Sequence, residues 1–535
     1  MSKNLNRALV LIVVPICFII IIWLTSGFKL LNDTENSTKT DNEIIAQTNY
    51  GKVKGYEFNG VKIFRGIPYG ANTAGENRFM PPQKPKAWSE IKDCTKNGPR
   101  SPQGGRSIFE TNQLGPWFSG GREDRFELSE QPTSEDCLNL NVLTPSLEGK
   151  RPVMVYFHGG GFQDGGGLLV VFSDRHVKEQ DVVLVGVNHR LNVFGYTYLG
   201  GIDEKYKIGN PGQLDLVASL EWVRDNISNF GGDPNNVMIF GESGGAAKVS
   251  NLLAMPSAKG LFHKAAIMSG AGIKVNEPER ATESAKELME KLGVTTVEEL
   301  LEVPTKQLFE AGSRSGPVLD GYSITRHPFF PDAPEISSDI PILIGSCKNE
   351  TTLFMQQDST LFTLDDKGLF DNMIKSSIPE EKAKELLALY QRDYPDDTPS
   401  DIYFRMVADR GFRSSAIKLA ELKLAQSKGK VWMYYSQYDT PIEDGKLRAF
   451  HTYDLPLAMR LTLVPEAEQL SRQMSAAWAA FARQGNPSTE ELPWPEYSME
   501  KRTTMIFDVD KSEVVDNPNE DERKLLLELP PRRGF

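Results

Sequence analysis

The sequence predicts an α/β fold: a large, mostly parallel central sheet flanked by helices, with a small antiparallel hairpin near the N-terminus. Three observations point there. The stretches 153–157 and 182–187 are β-branched and continuously apolar, as strands covered on both faces are. Between Gly212 and Phe230, Leu214, Val217, Leu220, Val223, Ile227 and Phe230 recur at helical spacing, giving an amphipathic helix. Further apolar runs at 237–240 and 265–268 bracket a helical stretch at 246–253, and strands alternating with helices define a parallel α/β sheet.

From the N-terminus, Lys3 and Arg7 precede a run without charge, residues 8–25. Its length fits a signal-anchor or a signal peptide within residues 1–28. The lack of a clear A-x-A cleavage site favours the anchor, and the basic flank places the rest of the chain outside the cytoplasm. Membrane association through this segment is therefore expected if it is uncleaved, and a secreted protein if it is cleaved. Residues 29–44 are polar and read as a tether, after which 45–535 read as one large domain. Alternation around Gly51–Tyr56 and 61–64 gives the hairpin. The Pro- and Gly-rich text from Pro81 to Gly121 is loop. Residues 275–310 read as helical, 340–344 and 431–435 as further central strands, and 466–483 as a helix stopped by Gly485.

Composition narrows the function. A formal charge of −12 without lysine or arginine clusters excludes nucleic acid as a partner. The four cysteines, Cys17, Cys94, Cys137 and Cys347, show no C-x-x-C or Cys/His spacing, so no metal site is expected. No cofactor motif is present: the glycine-rich stretch after 153–157 lacks both G-x-G-x-x-G and a P-loop lysine.

The chain's organising motif is Gly241-Glu-Ser243-Gly-Gly245, set between the strand at 237–240 and the helix that follows. Strand, G-x-S-x-G, helix is the context of a nucleophile elbow. A serine needs a base to take its proton. In an α/β-hydrolase sheet the order is serine, acid, histidine. His451, the last of six histidines, follows the strand at 431–435; His263 and His327 leave little room for an acid and its strand. Glu350, just past 340–344, is a candidate acid, with Asp320 and Asp358 open as alternatives. His158-Gly-Gly-Gly-Phe162 directly follows a strand, matching an oxyanion loop in which amides of Gly160, Gly161 and Gly244 serve as donors. Glu242 reads as a buried carboxylate beside the serine, with an electrostatic or a structural role.

From Gly51 to Tyr497 the chain resembles the type B carboxylesterase family, the group of the cholinesterases and bacterial p-nitrobenzyl esterases. The marks are Phe64-Arg-Gly-Ile-Pro-Tyr69, Ser134-Glu-Asp-Cys-Leu-Asn-Leu-Asn141, His158-Gly-Gly-Gly-Phe162, Gly209-Asn-Pro-Gly212 and the long run from Asn229 to Gly245. The resemblance implies Glu350 as the acid, His451 as the base and an Arg78–Glu135 structural ion pair beside Cys137. Gly244 stands where many members have alanine, which loosens the elbow. Thr452 stands where many have glycine. The position of the usual disulfide partner of Cys137 falls near Ser101, leaving a Cys94–Cys137 bond in doubt. The choline-binding tryptophan is replaced near Glu127, which disfavours cholinesterase activity.

The sequence thus predicts a serine carboxylesterase acting on a small-molecule ester through Ser243, Glu350 and His451. A non-catalytic binding protein of the same family is disfavoured by the complete residue set; a lipase or amidase using the same residues is separable by substrate panel. Pocket walls are expected from loops 100–130, 355–375 and 400–415. Oligomeric state is not encoded in any pattern here.

Overall fold

The computed structural model describes residues 39–529 apart from 105–107, 109–110, 112, 313–314 and 427. The signal-anchor expectation and most of the tether lie outside the described residues. Among the described residues no helix is long and apolar enough to cross a membrane.

The strands are β1 (Lys39–Thr48), β2 (Gly51–Phe58), β3 (Val61–Pro68), β4 (Lys92–Asp93), β5 (Asn139–Thr144), β6 (Arg151–Phe157), β7 (Val183–Val187), β8 (Gly232–Glu242), β9 (Lys264–Met268), β10 (Ile342–Cys347), β11 (Val431–Ser436), β12 (Thr504–Phe507) and β13 (Glu513–Val515). They form one sheet in the order β1-β2-β3-β5-β7-β6-β8-β9-β10-β11-β12-β13, with β4 on β2. From β7 to β12 every pairing is parallel. The N-terminal margin, β1 through β5 and onto β7, is antiparallel, as is β12 on β13. The α/β-hydrolase architecture follows directly: a large mixed sheet whose parallel centre is covered on both faces.

Alternate residues of the central strands enter opposite cores. On one face Met154, Tyr156, Met238 and Phe240 pack with Leu470, Met474, Trp478 and Phe481 of the helix Glu468–Gln484. On the other, Val153, Val155, Val237 and Ile239 pack with Leu216, Leu220 and Val223 of the helix Pro211–Asn226, and with Val249, Leu252 and Leu253 of the helix Gly244–Ala254. Burial on both faces is why these strands read as unbroken apolar runs.

Two departures from the sequence reading have local causes. The stretch 275–310 is three helices, Pro278–Leu292, Val297–Glu302 and Thr305–Ala311. Gly293 ends the first in the left-handed region at φ 69°, a glycine C-terminal stop, and Pro304 separates the others. The stretches 355–375 and 400–415 are largely helical, containing Asp366–Lys375, Pro399–Ala408 and a π-helical turn, Asp409–Arg413.

Buried ion pairs tie the irregular segments to this frame. Arg78 makes a bidentate contact to Glu135, with its Nη2 2.6 Å from Oε1, and donates to the carbonyls of Leu301 and Val303. Cys94 and Cys137 are buried free thiols. Arg190 and Asp215, both buried, meet at 2.6 Å, and the Arg190 amide donates to the same carboxylate. Removing one partner strands the other charge away from water. Asp215→Asn is therefore expected to lower unfolding free energy by about 3–5 kcal/mol, measured by urea denaturation. A loss under about 1 kcal/mol would show that the pair contributes only as an exposed bridge does.

Candidate active site

The site is built where β8 ends. Ser243 lies between β8 and the helix Gly244–Ala254 with φ 57° and ψ −124°, a sparsely populated conformation for a residue with a side chain. Close packing enforces it. A methyl at Gly241 would overlap the backbone of Gly245, one at Gly245 the carbonyl of Phe157, and one at Gly270 the carbonyl of Ser243. The Ser243 amide donates to Met268 on β9 at 2.9 Å, and its carbonyl accepts from Ala247 in the first helical turn. The side chain thus stands above the C-terminal edge of the parallel strands.

Glu350 and His451 arrive from the ends of β10 and β11. Glu350 Oε1 accepts from the Cys347 amide at 2.7 Å, while Oε2 lies 2.5 Å from His451 Nδ1. Both side chains are buried. A carboxylate there fixes the ring with its proton on Nδ1 and leaves Nε2 as the acceptor. Nε2 is 3.2 Å from Glu242 Oε1 but is not aligned to hydrogen-bond with it. The other candidates are engaged elsewhere. Asp320 accepts from the amides of Gly209, Tyr322, Ser323 and Ile324. Asp358 caps a short turn at Thr360, His263 accepts from the Val237 amide, and His327 faces Glu277.

Carboxyls crowd the imidazole. Burial, with Asp454 and Glu350 nearby, pushes Glu242 well above the usual carboxylate range. Burial and Glu350 push Asp454 up to about 6, against a 2.8 Å hydrogen bond donated by the Tyr434 hydroxyl. Low-dielectric surroundings cannot hold several like charges at once, so the cluster opposes ionisation of Glu242. The sequence flagged Glu242 by adjacency; Asp454, three residues past His451, was missed although its spacing put it within reach.

Two aromatic rings flank His451. Phe354 lies 4.8 Å and Phe412 5.0 Å from its ring, and the two are nearly parallel, 7° apart at 6.3 Å. Phe412 sits in the π-helical turn Asp409–Arg413, where Asp409 accepts from the hydroxyls of Tyr390 and Tyr435. Such turns are inserted in helices frequently at functional sites. Neither ring was singled out from sequence, since a lone Phe carries no pattern.

The glycine loop after β6 closes over the serine turn. Gly160 and Gly161 have φ 83° and 63°. A methyl at Gly244 would lie 2.5 Å from the Gly161 nitrogen and Cα. The glycine at 244 therefore does more than relax the turn: it leaves the space that Gly161 occupies, bringing the two backbones together. Among the described residues no cluster of three or more His, Cys, Asp or Glu could hold a metal ion.

A strained serine at the end of a parallel strand, with an acid and a histidine from the next strand ends, defines a hydrolase of the α/β-hydrolase class. A model of the carboxylesterase family matches residues 42–525, and the chain belongs to that family. It is 35% identical over 519 residues to the para-nitrobenzyl esterase of Bacillus subtilis, covering 92% of this chain and 99% of that protein. The phenmedipham hydrolase of Pseudarthrobacter oxydans is 29% identical over 505 residues, covering 88% and 96%. A solved carboxylesterase of Geobacillus stearothermophilus superposes with a TM-score of 0.76 at 34% identity, covering 90% of this chain and 99% of that one. The protein is a carboxylic-ester hydrolase.

The close approach at Gly244 yields a sharp expectation. Gly244→Ala should displace the glycine loop and lower kcat/KM for a p-nitrophenyl ester by roughly tenfold to a hundredfold, with an unchanged urea midpoint. Activity within about twofold of the parent would mean that the loop yields to the methyl without consequence.

Proposed function

We propose that this esterase works through an acyl-enzyme. Ser243 attacks the ester carbonyl, and His451 takes its proton at Nε2 and passes it to the leaving alcohol. Water then enters, His451 takes a proton from it, and the acid is released. Glu350 orients the imidazole and stabilises its charged form without taking the proton. The amides of Gly160, Gly161 and Gly244 receive the negative charge of the tetrahedral intermediate, each such donor being worth about 2.7–4 kcal/mol. The observation that carries this reading is the buried 2.5 Å contact from Glu350 to His451 Nδ1, with no hydrogen-bond partner on Nε2.

The aromatic pair supports a substrate class. The leaving alcohol takes its proton from His451, so it departs beside Phe354 and Phe412. Phe354 is 48% exposed, a large apolar face offered to an incoming group. We assign the preference to esters with a flat aromatic alcohol; the name of the para-nitrobenzyl esterase relative fits that chemistry. The basic-flanked apolar stretch 8–25 supports a site of action outside the cytoplasm, with residues 45–535 as the catalytic domain.

Rapid mixing of the parent with a p-nitrophenyl ester is expected to give a burst of p-nitrophenol equal to the enzyme concentration. Ser243→Ala should abolish the burst and lower turnover by roughly four orders of magnitude or more, and Glu350→Gln should slow acylation steeply. Turnover by Ser243→Ala above roughly a hundredth of the parent would sink the mechanism.

A further inference from the structure

The mechanism leaves one buried cation unused. Lys248 lies on the helix Gly244–Ala254, five residues past Ser243, and is 0% exposed. Its Nζ donates to the carbonyl of His158 at 2.9 Å and sits 5.7 Å from the centre of the Phe162 ring. His158 is the residue at which β6 passes into the glycine loop, and Phe162 closes that loop. The one carboxylate whose charge supports the ammonium, among the described residues, is Asp164 on the same loop. A buried ammonium with so little compensation is costly, and methionine would fill the same space at less cost.

We propose that Lys248 is a positioning residue of the oxyanion hole, its ammonium gripping the His158 carbonyl from beneath and holding Gly160 and Gly161 against Gly244. This rests on the reading that those three amides hold the intermediate's charge. The hydrogen bond fixes the root of the loop, the Phe162 ring braces its far end, and the absent side chain at Gly244 lets the middle settle. The positive charge also stands behind a loop that must receive a developing negative charge, in surroundings that screen it weakly.

The charge on Lys248 is adjustable. Burial lowers its pKa to about 7, opposed by Asp164 on the same loop. The other groups facing it are His158 and His189, whose rings stack 4.9 Å apart. Burial and the Lys248 charge hold both imidazoles well below their usual range, so they stay neutral. Arg100 lies beyond His158, and the Arg190–Asp215 pair beyond His189. The ammonium is thus present below about pH 7 and lost above it.

The test compares full-length parent, Lys248→Met and Lys248→Gln from pH 6 to 9. The readouts are kcat and KM for a p-nitrophenyl ester, and the inhibition constant of an aryl trifluoromethyl ketone, which adds to an active serine as a tetrahedral alkoxide. At pH 6 kcat and ketone affinity are both expected to fall about tenfold or more in Lys248→Met, with KM within about twofold. The gap should narrow toward pH 9, where the parent has lost its charge but keeps an N–H donor to the His158 carbonyl. Lys248→Gln keeps a buried donor without charge, and should fall between the two at pH 6 and meet the parent toward pH 9. A loss that is equal at every pH, or variants matching the parent at pH 6, would overturn the proposal while leaving the acyl-enzyme intact. Failure of the ketone to inhibit the parent would instead remove the mechanism on which it rests.

Discussion

Everything at the site depends on one strained residue. Ser243 holds a positive φ that a residue with a side chain adopts at a cost of order 1–3 kcal/mol. It persists because the surroundings allow nothing else: Gly241, Gly245 and Gly270 pack their Cα atoms into spaces that no methyl could share. The strain is met by the double-sided core, in which β6, β8 and β9 run parallel and fix the turn from three directions. A sheet open to water on one face could not hold that turn so firmly.

From that turn outward, electrostatics take over from packing. Glu350, Glu242 and Asp454 converge on a single imidazole in a volume nearly free of water. Glu350 accepts from the Cys347 amide and meets His451 Nδ1. Burial pushes Glu242 and Asp454 upward, helped at Glu242 by Asp454 and Glu350 and at Asp454 by Glu350. The arrangement therefore gives similar groups different surroundings, which is how environment assigns roles to like residues. Lys248 lies under the glycine loop, its amine on the His158 carbonyl.

Much of this was legible in the sequence, for identifiable reasons. Continuous apolar runs betrayed the central strands, because both faces are buried. Ser243 and the glycine loop were legible because their backbone geometry demands particular residues at fixed spacing. His451 could be reached by elimination among six histidines, and Glu350 only as one of several acids until the coordinates set it on Nδ1. What stayed hidden depends on contacts between distant segments. Phe354 and Phe412 are 58 positions apart by number, yet both lie tilted against the same imidazole and stack on each other. Lys248 carries no motif, and its complete burial marks it out. The helices at 366–375 and 399–408 lie within stretches read as loop, and the second is buried on nearly every side, so no single apolar stripe marks it in the sequence.

The central claim is that the fold activates one serine among many. The most direct measurement is intact-mass and peptide mass spectrometry of the parent after exposure to a fluorophosphonate, beside His451→Ala. The account predicts one covalent adduct per chain, located on Ser243, and none in His451→Ala over the same interval. An adduct on a different residue, or no adduct on a folded and monodisperse parent, would contradict it.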